Sequence, residues 1–134
     1  MLGSQTVLIV SPDPLYREKT EEIVGRIGLQ SVSCVCLTEA RSLIERQVFQ
    51  LVCCSDDLPD CNLRTAIHIL KSFIGNAPVI VLSHLAEWDS YLRALDAGAS
   101  DYIACPPNAV EMERILRLAL GQTQPPIRAS HASA

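Results

Sequence analysis

The chain alternates between short apolar runs and longer segments in which apolar residues recur every three or four positions. The apolar runs predict five β-strands, at residues 6–10, 31–36, 51–55, 78–83 and 101–104. Several of these runs are apolar at nearly every position, which is typical of parallel strands that are covered on both faces. The sequence therefore predicts a sheet that lies inside the molecule.

The segments between the strands have the spacing of helices, and several carry residues that start or stop a helix. Pro14 suits the first turn of the first helix, and Gly28 is a stop signal after it. Thr38, Asn62 and Asn108 precede later helical segments and are predicted to be their N-caps, because their side chains can accept hydrogen bonds from free backbone N–H groups.

Five alternating strand–helix units predict the fold class. Parallel strands need crossover connections, and the crossovers place helices on both faces of the sheet. The expected fold is therefore α/β, a doubly wound, five-stranded parallel sheet in three layers. This domain is predicted to span residues 1–120. Residues 121–134 are polar, contain proline and follow no pattern, so they are predicted to form a disordered tail.

Composition and charge exclude several classes of function. Hydrophobic residues make up 49% of the chain, but no apolar run approaches the roughly 20 residues needed to span a bilayer. No basic segment precedes the first apolar run, so no secretory signal is predicted and a cytoplasmic protein without a membrane partner is expected. The net charge is −4 and the basic residues are scattered, which argues against binding to nucleic acid.

The chain contains six cysteines, but their spacing predicts neither a disulfide framework nor a zinc site. No C-x-x-C pair is present, and no histidine stands at zinc-finger spacing. Four of the six lie in strongly apolar segments, where a free cysteine behaves as a small buried hydrophobic residue. We therefore predict free thiols, most of them in the core.

In open α/β sheets, ligands bind beyond the carboxyl ends of the strands, so the residues that follow the strands are the candidates for function. In chain order these are residues 11–13, 36–37, 55–57, 83–84 and 105–106. None of these segments carries the glycine-rich sequences that cradle phosphates, so nucleotide binding by those routes is excluded.

The order and spacing of these segments resemble the receiver domain of bacterial response regulators, the CheY-like superfamily. The stretches that carry the resemblance are VLIVSPDPLYR, FQLVCCSDDLPD, PVIVLSHL, ALDAGASDYIACPPN and EMERILRLAL. Together they span about residues 5–120. The resemblance implies a flavodoxin-like sheet with strand order 2-1-3-4-5 and a role in two-component or phosphorelay signal transduction.

Receivers accept a phosphoryl group from a histidine kinase on an aspartate at the end of the third strand. Two acidic residues after the first strand help to bind Mg²⁺, and a hydroxyl side chain and a lysine contact the phosphoryl oxygens. This set is chemically reasonable, because Mg²⁺ prefers carboxylate oxygens and the transferring phosphoryl group needs positive charge around it.

Most of these positions are changed in this chain. The resemblance places the acidic pair at Ser11 and Pro12, the phosphoacceptor at Ser55, the hydroxyl at Ser83, the lysine at Cys105 and the switch aromatic at Tyr102. Of the positions that touch the phosphoryl group or the metal, only Ser83 keeps the residue type of the family. The Cys105–Pro106 bond corresponds to a bond that is commonly cis in receivers. We interpret the chain as a degenerate, stand-alone receiver that is not an enzyme and whose Mg²⁺ binding is lost or weak.

Two alternatives remain open. Asp13, Asp56 and Asp57 lie beside the changed positions, and they can serve an atypical phosphoacceptor site with Mg²⁺, with Asp13 and Asp56 as metal ligands. Against this, neighbouring residues of a strand point to opposite faces, so Asp56 cannot replace Ser55 without a slip in register. The second alternative is a thiol sensor at Cys105, with His84 as the nearby cation.

The face that receivers use for contacts is the expected interaction surface. Trp88, Tyr91 and Tyr102 fall on it, and interfaces are enriched in Trp and Tyr. The expected partner is a protein: a histidine kinase, another response regulator or a second copy of this chain. The simpler interpretation is that Trp88 or Tyr91 only covers the sheet.

Overall fold

The computed structural model describes residues 5–85 and 87–121, which form one parallel sheet covered by helices. The strands are Thr6–Val10 (β1), Gln30–Cys34 (β2), Leu51–Ser55 (β3), Val79–Ser83 (β4) and Asp101–Ala104 (β5). They lie in the order β2-β1-β3-β4-β5, with every neighbouring pair parallel. The predicted fold class and strand order are therefore confirmed.

The predicted bounds hold for β1, β3 and β5 and differ for the other two strands. The second strand ends at Cys34 rather than at residue 36, because Cys36 already forms the N-cap of the next helix. The fourth strand begins at Val79, one residue after Pro78. Proline has no N–H group for the ladder, and the Pro78 carbonyl accepts a hydrogen bond from the N–H of Val52 at 3.0 Å.

Five helices connect or follow the strands. They are Pro14–Arg26 (α1), Leu37–Arg46 (α2), Leu63–Ile74 (α3), Trp88–Asp96 (α4) and Ala109–Gly121 (α5). The last helix ends one residue beyond the predicted domain boundary at residue 120. The predicted disordered tail lies, apart from Gly121, outside the described residues.

The sheet has a separate apolar core on each face, which explains why its strands read as continuous apolar runs. Alternate residues of β1 point to opposite sides: Leu8 packs in the core beneath α2, α3 and α4, and Ile9 packs in the core beneath α1 and α5. Both side chains are fully buried. Because helices cover both faces, polar groups gather at the ends of the strands.

The predicted caps of two helices are confirmed. The side chain of Asn62 accepts a hydrogen bond from the N–H of Thr65 at 2.9 Å, at the start of α3. The side chain of Asn108 accepts one from the N–H of Glu111 at 2.9 Å, at the start of α5. Both are the ordinary N-cap arrangement, in which a side-chain oxygen satisfies a free N–H of the first turn.

The predicted cap at Thr38 is wrong, and the helix α2 is capped from a distant loop instead. Thr38 lies inside the helix, and the N-cap residue Cys36 makes no side-chain cap bond. The carboxylate of Asp60, in the loop after β3, accepts hydrogen bonds from the N–H of Leu37 at 3.1 Å and of Thr38 at 3.1 Å. It also accepts one from the Thr38 hydroxyl at 2.9 Å. A cap that comes from 22 residues away cannot be found by local sequence reasoning.

The prediction of free thiols is confirmed, since all six cysteines are free. Only half of them are buried, namely Cys34, Cys53 and Cys54, so fewer thiols lie in the core than predicted. Burial raises the pKa of Cys53 to about 12, with a further contribution from Cys105. None of the described helices has the length and apolarity needed to cross a bilayer.

We expect replacement of Asp60 by alanine to destabilise the fold by about 1 kcal/mol at neutral pH, because α2 loses its cap. Urea unfolding of the wild type and the variant would measure this. A matched control is Asp96→Ala, which removes an exposed carboxylate that pairs only at the surface with Arg64 and should change stability by less than about 0.5 kcal/mol.

A comparison of the wild type with Asp60→Ala at different pH values tests whether the capping carboxylate is charged. Burial opposes ionisation of Asp60, but the hydrogen bonds from Leu37 and Thr38 outweigh it and lower its pKa below the ordinary 3.8. A carboxylate with a lowered pKa stabilises the folded state above its unfolded pKa and loses that effect as pH falls through the folded pKa. The difference between Asp60→Ala and the wild type should therefore shrink below about pH 4. Equal stability of Asp60→Ala and Asp96→Ala at pH 7 would contradict the capping role.

Candidate functional site

Three serines form a neutral floor at the carboxyl edge of the sheet. Ser11 follows β1, Ser55 ends β3 and Ser83 ends β4, and all three are fully buried. The Ser55 hydroxyl donates a hydrogen bond to the Ser11 hydroxyl oxygen at 2.9 Å. The Ser11 oxygen also accepts one from the N–H of Asp13 at 3.2 Å. Pro12, which lies between Ser11 and Asp13 in the chain, is half-buried and has no polar side-chain atom. The floor formed by the three serines therefore carries no charge.

The third serine is tied to the loop that follows it. The Ser83 hydroxyl oxygen accepts a hydrogen bond from the N–H of Leu85 at 3.0 Å, which turns the chain directly after β4. The Tyr102 hydroxyl donates to the carbonyl oxygen of Leu85. The N–H of Cys105 donates to the carbonyl of Ser83 at 2.7 Å, and the Cys105–Pro106 bond is cis, as the resemblance implied. This loop is therefore held from both sides.

Above the floor, three carboxylates surround the imidazole of His84. The nearest approaches are 3.4 Å from Nδ1 to Asp57 Oδ2 and 3.8 Å from Nδ1 to Asp56 Oδ1. On the other side of the ring, Nε2 lies 3.9 Å from Asp13 Oδ2. In the described residues, no other basic side chain lies within 4.0 Å of these three carboxylates. We call Asp13, Asp56, Asp57 and His84 the rim cluster.

The local structure explains why these side chains meet. Asp13 is the N-cap of α1, where its Oδ1 accepts hydrogen bonds from the N–H of Leu15 at 2.9 Å and of Tyr16 at 3.3 Å. Asp56 and Asp57 directly follow β3, and His84 directly follows the neighbouring strand β4. Parallel strands end at the same edge of a sheet, so the residues after them converge.

The sequence predicted the three carboxylates as candidates but gave His84 only the role of a cation near Cys105. The signal for His84 was its position directly after β4. Because β4 neighbours β3 in the predicted strand order, His84 comes close to the acids that follow β3. Tyr16 was missed altogether. Its ring centroid lies 4.8 Å from that of His84. Burial raises the pKa of Tyr16, and the charges of Cys105, Asp13 and Asp57 raise it further.

The environment of Cys105 does not favour a reactive thiolate. Burial raises its pKa to about 12, and the charges of Asp56, Asp13 and Asp57 act in the same direction. A nucleophilic cysteine needs the opposite, a nearby positive charge that stabilises the thiolate. The thiol-sensor alternative therefore receives no support from this geometry.

The predicted interaction surface is an aromatic row beside a groove. The rings of Trp88 and Tyr91 lie 5.2 Å apart, and those of Tyr91 and Tyr102 lie 5.8 Å apart in an edge-to-face arrangement. Trp88 is 69% exposed, so it does not serve to cover the sheet. The groove has a volume of about 400 Å³ and lies between α4, β5 and α5. Its lining comprises Glu87, Trp88, Tyr91, Asp101, Tyr102, Ala104, Glu111, Arg114 and Ile115.

The fold agrees with comparisons to known proteins. The family model described as the response regulator receiver domain matches residues 7–117. The chain belongs to this family.

Curated relatives are response regulators. The chain is 28% identical over 124 residues to the response regulator protein PilR of Pseudomonas aeruginosa, and 25% identical over 117 residues to the response regulator protein FleR of the same organism. These matches cover 92% and 87% of this chain, but only 28% and 25% of the relatives. The chain thus spans about a quarter of the length of these relatives.

Solved structures share the fold at low identity. A two-component response regulator from Clostridium difficile has a TM-score of 0.83 at 20% identity, with 91% of this chain and 100% of that chain covered. The receiver domain of sensor histidine kinase PA1611 from Pseudomonas aeruginosa has a TM-score of 0.78 at 24% identity, with 89% and 99% covered. That structure has a magnesium ion coordinated in its active-site cleft. At identities of 20% and 24%, these two structures show a shared fold and nothing beyond it.

We expect Cys105 to react slowly with iodoacetamide at pH 7, because a pKa of about 12 leaves little thiolate. Its alkylation in the native protein should be at least about a hundredfold slower than in the urea-unfolded protein, since each pKa unit lowers the thiolate fraction tenfold. Peptide mapping by mass spectrometry would measure both rates, with the half-buried Cys36 followed in the same digest. Fast alkylation of Cys105 in the native protein would contradict this expectation and support the thiol-sensor alternative.

Proposed function

We propose that this receiver domain transmits its signal by binding another protein and does not depend on phosphorylation at the end of β3. It is proposed to be a cytoplasmic, non-enzymatic module of a bacterial two-component system. The observation that carries this proposal is the hydrogen bond between Ser55 and Ser11 in the buried floor. These are the two positions to which the family resemblance assigns the phosphoacceptor and one of the metal-binding acids.

The chemistry of the floor supports the proposal. The Ser55 hydroxyl is fully buried and its proton is engaged, so neither a phosphodonor nor a base has direct access to it. Ser11 and Pro12 bring no carboxylate, and a hard cation such as Mg²⁺ needs oxygen ligands of that kind. Phosphoryl transfer relies on charge arranged around the transferring group, and an uncharged floor does not provide it.

The position of the remaining carboxylates supports weak or absent Mg²⁺ binding. In the PA1611 receiver domain, magnesium lies in the active-site cleft. In this chain the acids lie in the rim cluster, where His84 occupies the space between them. Mg²⁺ dehydrates reluctantly and prefers an octahedron of oxygens, so an imidazole among the ligands is unfavourable for it.

The aromatic row supports binding through the face formed by α4, β5 and α5. An exposed tryptophan next to a tyrosine is a typical anchor of a protein interface. The groove beside it has three carboxylates, from Glu87, Asp101 and Glu111, against one cation, Arg114. A partner that presents a basic side chain to these aromatic rings suits this surface. A histidine kinase, another response regulator and a second copy of the chain remain the classes of partner to test.

The second candidate is an atypical phosphoacceptor that uses Asp56 or Asp57 with Mg²⁺. The observation that favours it is the convergence of these carboxylates with Asp13 near a strand end, with Asp57 45% exposed and accessible to a phosphodonor. Reaction with a small phosphodonor separates the two candidates directly.

We expect no Mg²⁺-dependent phosphoryl adduct after incubation with acetyl phosphate, since the position that the resemblance assigns to the acceptor is Ser55 and carries no carboxylate. Intact-mass spectrometry at neutral pH would detect an adduct, and the fluorescence of the chain's single tryptophan, Trp88, would report beryllofluoride binding. An adduct that disappears in Asp56→Asn or Asp57→Asn would establish the second candidate instead. The Asp96→Asn variant, whose carboxylate pairs with Arg64 away from the site, is the control.

We expect Trp88→Ala to weaken capture of a partner at least about tenfold, because buried tryptophans are frequent hot spots of interfaces. The partners to test are histidine kinases and response regulators of the source organism, and self-association is measured by analytical ultracentrifugation. Val48→Ala is a suitable control, since Val48 is 77% exposed and follows α2, away from the aromatic row. Equal loss for both variants, or no loss for Trp88→Ala, would contradict binding through this face.

A further inference from the structure

The ligand atoms around His84 Nδ1 have the spacing of a metal site. Nδ1 lies 3.4 Å from Asp57 Oδ2 and 3.8 Å from Asp56 Oδ1, and one ligand atom of each residue lies within 4.8 Å of the others. Two atoms bound to one tetrahedral zinc ion at about 2.1 Å are about 3.4 Å apart. The three side chains therefore need only a small closing movement to share one ion.

The second nitrogen of the ring faces a carboxylate, at a separation longer than a hydrogen bond. Nε2 faces Asp13 Oδ2 at 3.9 Å. Histidine ligands usually give the N–H of their free nitrogen to a carboxylate, which fixes the tautomer and the ring orientation. Asp13 is itself held in place, because its Oδ1 caps α1. The arrangement leaves Nδ1 available for a metal ion.

The backbone that carries the ligands is fixed, and their side chains remain open to solvent. The N–H of Asp56 donates to the carbonyl of Leu82 at 3.0 Å, which ties the two ligand-bearing strands together just before Asp57 and His84. The side chains of Asp56, Asp57 and His84 are 18%, 45% and 35% exposed. Entry from solvent is free, and water can complete the coordination.

The donor set selects the class of ion. One imidazole nitrogen with two carboxylates suits a first-row transition ion, whereas Mg²⁺ and Ca²⁺ prefer oxygen alone. The two carboxylates also match the charge of a divalent cation. None of the three ligands stands at Ser11, Pro12 or Ser55, so this set differs from the one that the family resemblance assigns to Mg²⁺.

We propose that His84, Asp56 and Asp57 bind Zn²⁺ or a similar divalent transition-metal ion through His84 Nδ1 and one oxygen of each carboxylate, with Asp13 orienting the imidazole. This site is independent of the proposed protein-binding function and of the acetyl phosphate result. Its test is metal binding alone, so failure of either proposal leaves the other standing.

Calorimetric titration of the full chain with Zn²⁺ and with Mg²⁺ tests the site. We expect one Zn²⁺ per chain, bound more tightly than Mg²⁺, and a loss of at least about tenfold in Zn²⁺ affinity in His84→Asn. Asp13→Asn should weaken Zn²⁺ binding less than His84→Asn does. His68→Asn is the matched control, because His68 is exposed on α3 and remote from the cluster, and it should bind Zn²⁺ as the wild type does.

Cobalt(II) absorption identifies the ligands. We expect weak visible d–d bands without an intense near-ultraviolet thiolate band, since no cysteine belongs to the site. Circular dichroism of His84→Asn without metal would verify that the variant is folded. Absence of Zn²⁺ binding, binding unchanged in folded His84→Asn, or a strong thiolate band would each overturn the proposal.

Discussion

The constraint that governs this molecule is the burial of both faces of its sheet. Helices cover each face with an apolar core, and the central strands β1, β3 and β4 are buried along their whole length. Polar chemistry is thereby confined to the edge where the parallel strands end. At that edge a buried side chain must be neutral or fully paired, since an isolated charge there is costly. Ser11, Ser55 and Ser83 meet this condition through hydrogen bonds to one another or to the adjoining loop.

This constraint separates the neutral floor from the charged rim. The carboxylates lie one or two residues further along each loop, at Asp13, Asp56 and Asp57, where partial exposure keeps them hydrated. A charge at position 55 would need a counter-charge in the buried floor, and Cys105 provides none because its thiol stays protonated. A neutral residue at both positions 55 and 105 therefore leaves no unpaired buried charge.

The sequence predicts those features of this structure that depend on neighbouring residues and misses those that depend on residues distant in the chain. Buried strands such as β3 and caps such as Asn62 depend on neighbouring residues, so the bounds of the strand and the position of the cap were predicted from the pattern alone. The cap of α2 depends on Asp60, a residue from another loop, and the local candidate Thr38 was the wrong one. The convergence of strand-end residues follows from parallel topology. The orientation of the His84 ring between three carboxylates cannot be derived from the topology, because it depends on how the loop after β4 is held.

That loop links the rim cluster to the aromatic row. His84 lies between Ser83 and Leu85, and hydrogen bonds from the Leu85 N–H and from the Tyr102 hydroxyl fix the chain on either side of it. Tyr102 packs edge-on against Tyr91, which in turn contacts Trp88. A shift of the backbone at His84 would act on the bond between Ser83 and Leu85 and, through the Leu85 carbonyl, on Tyr102. A rotation of the His84 side chain alone would leave both bonds in place. The strand-end crevice and the exposed face are thus joined by a continuous set of contacts through one short loop and the row of rings beside it.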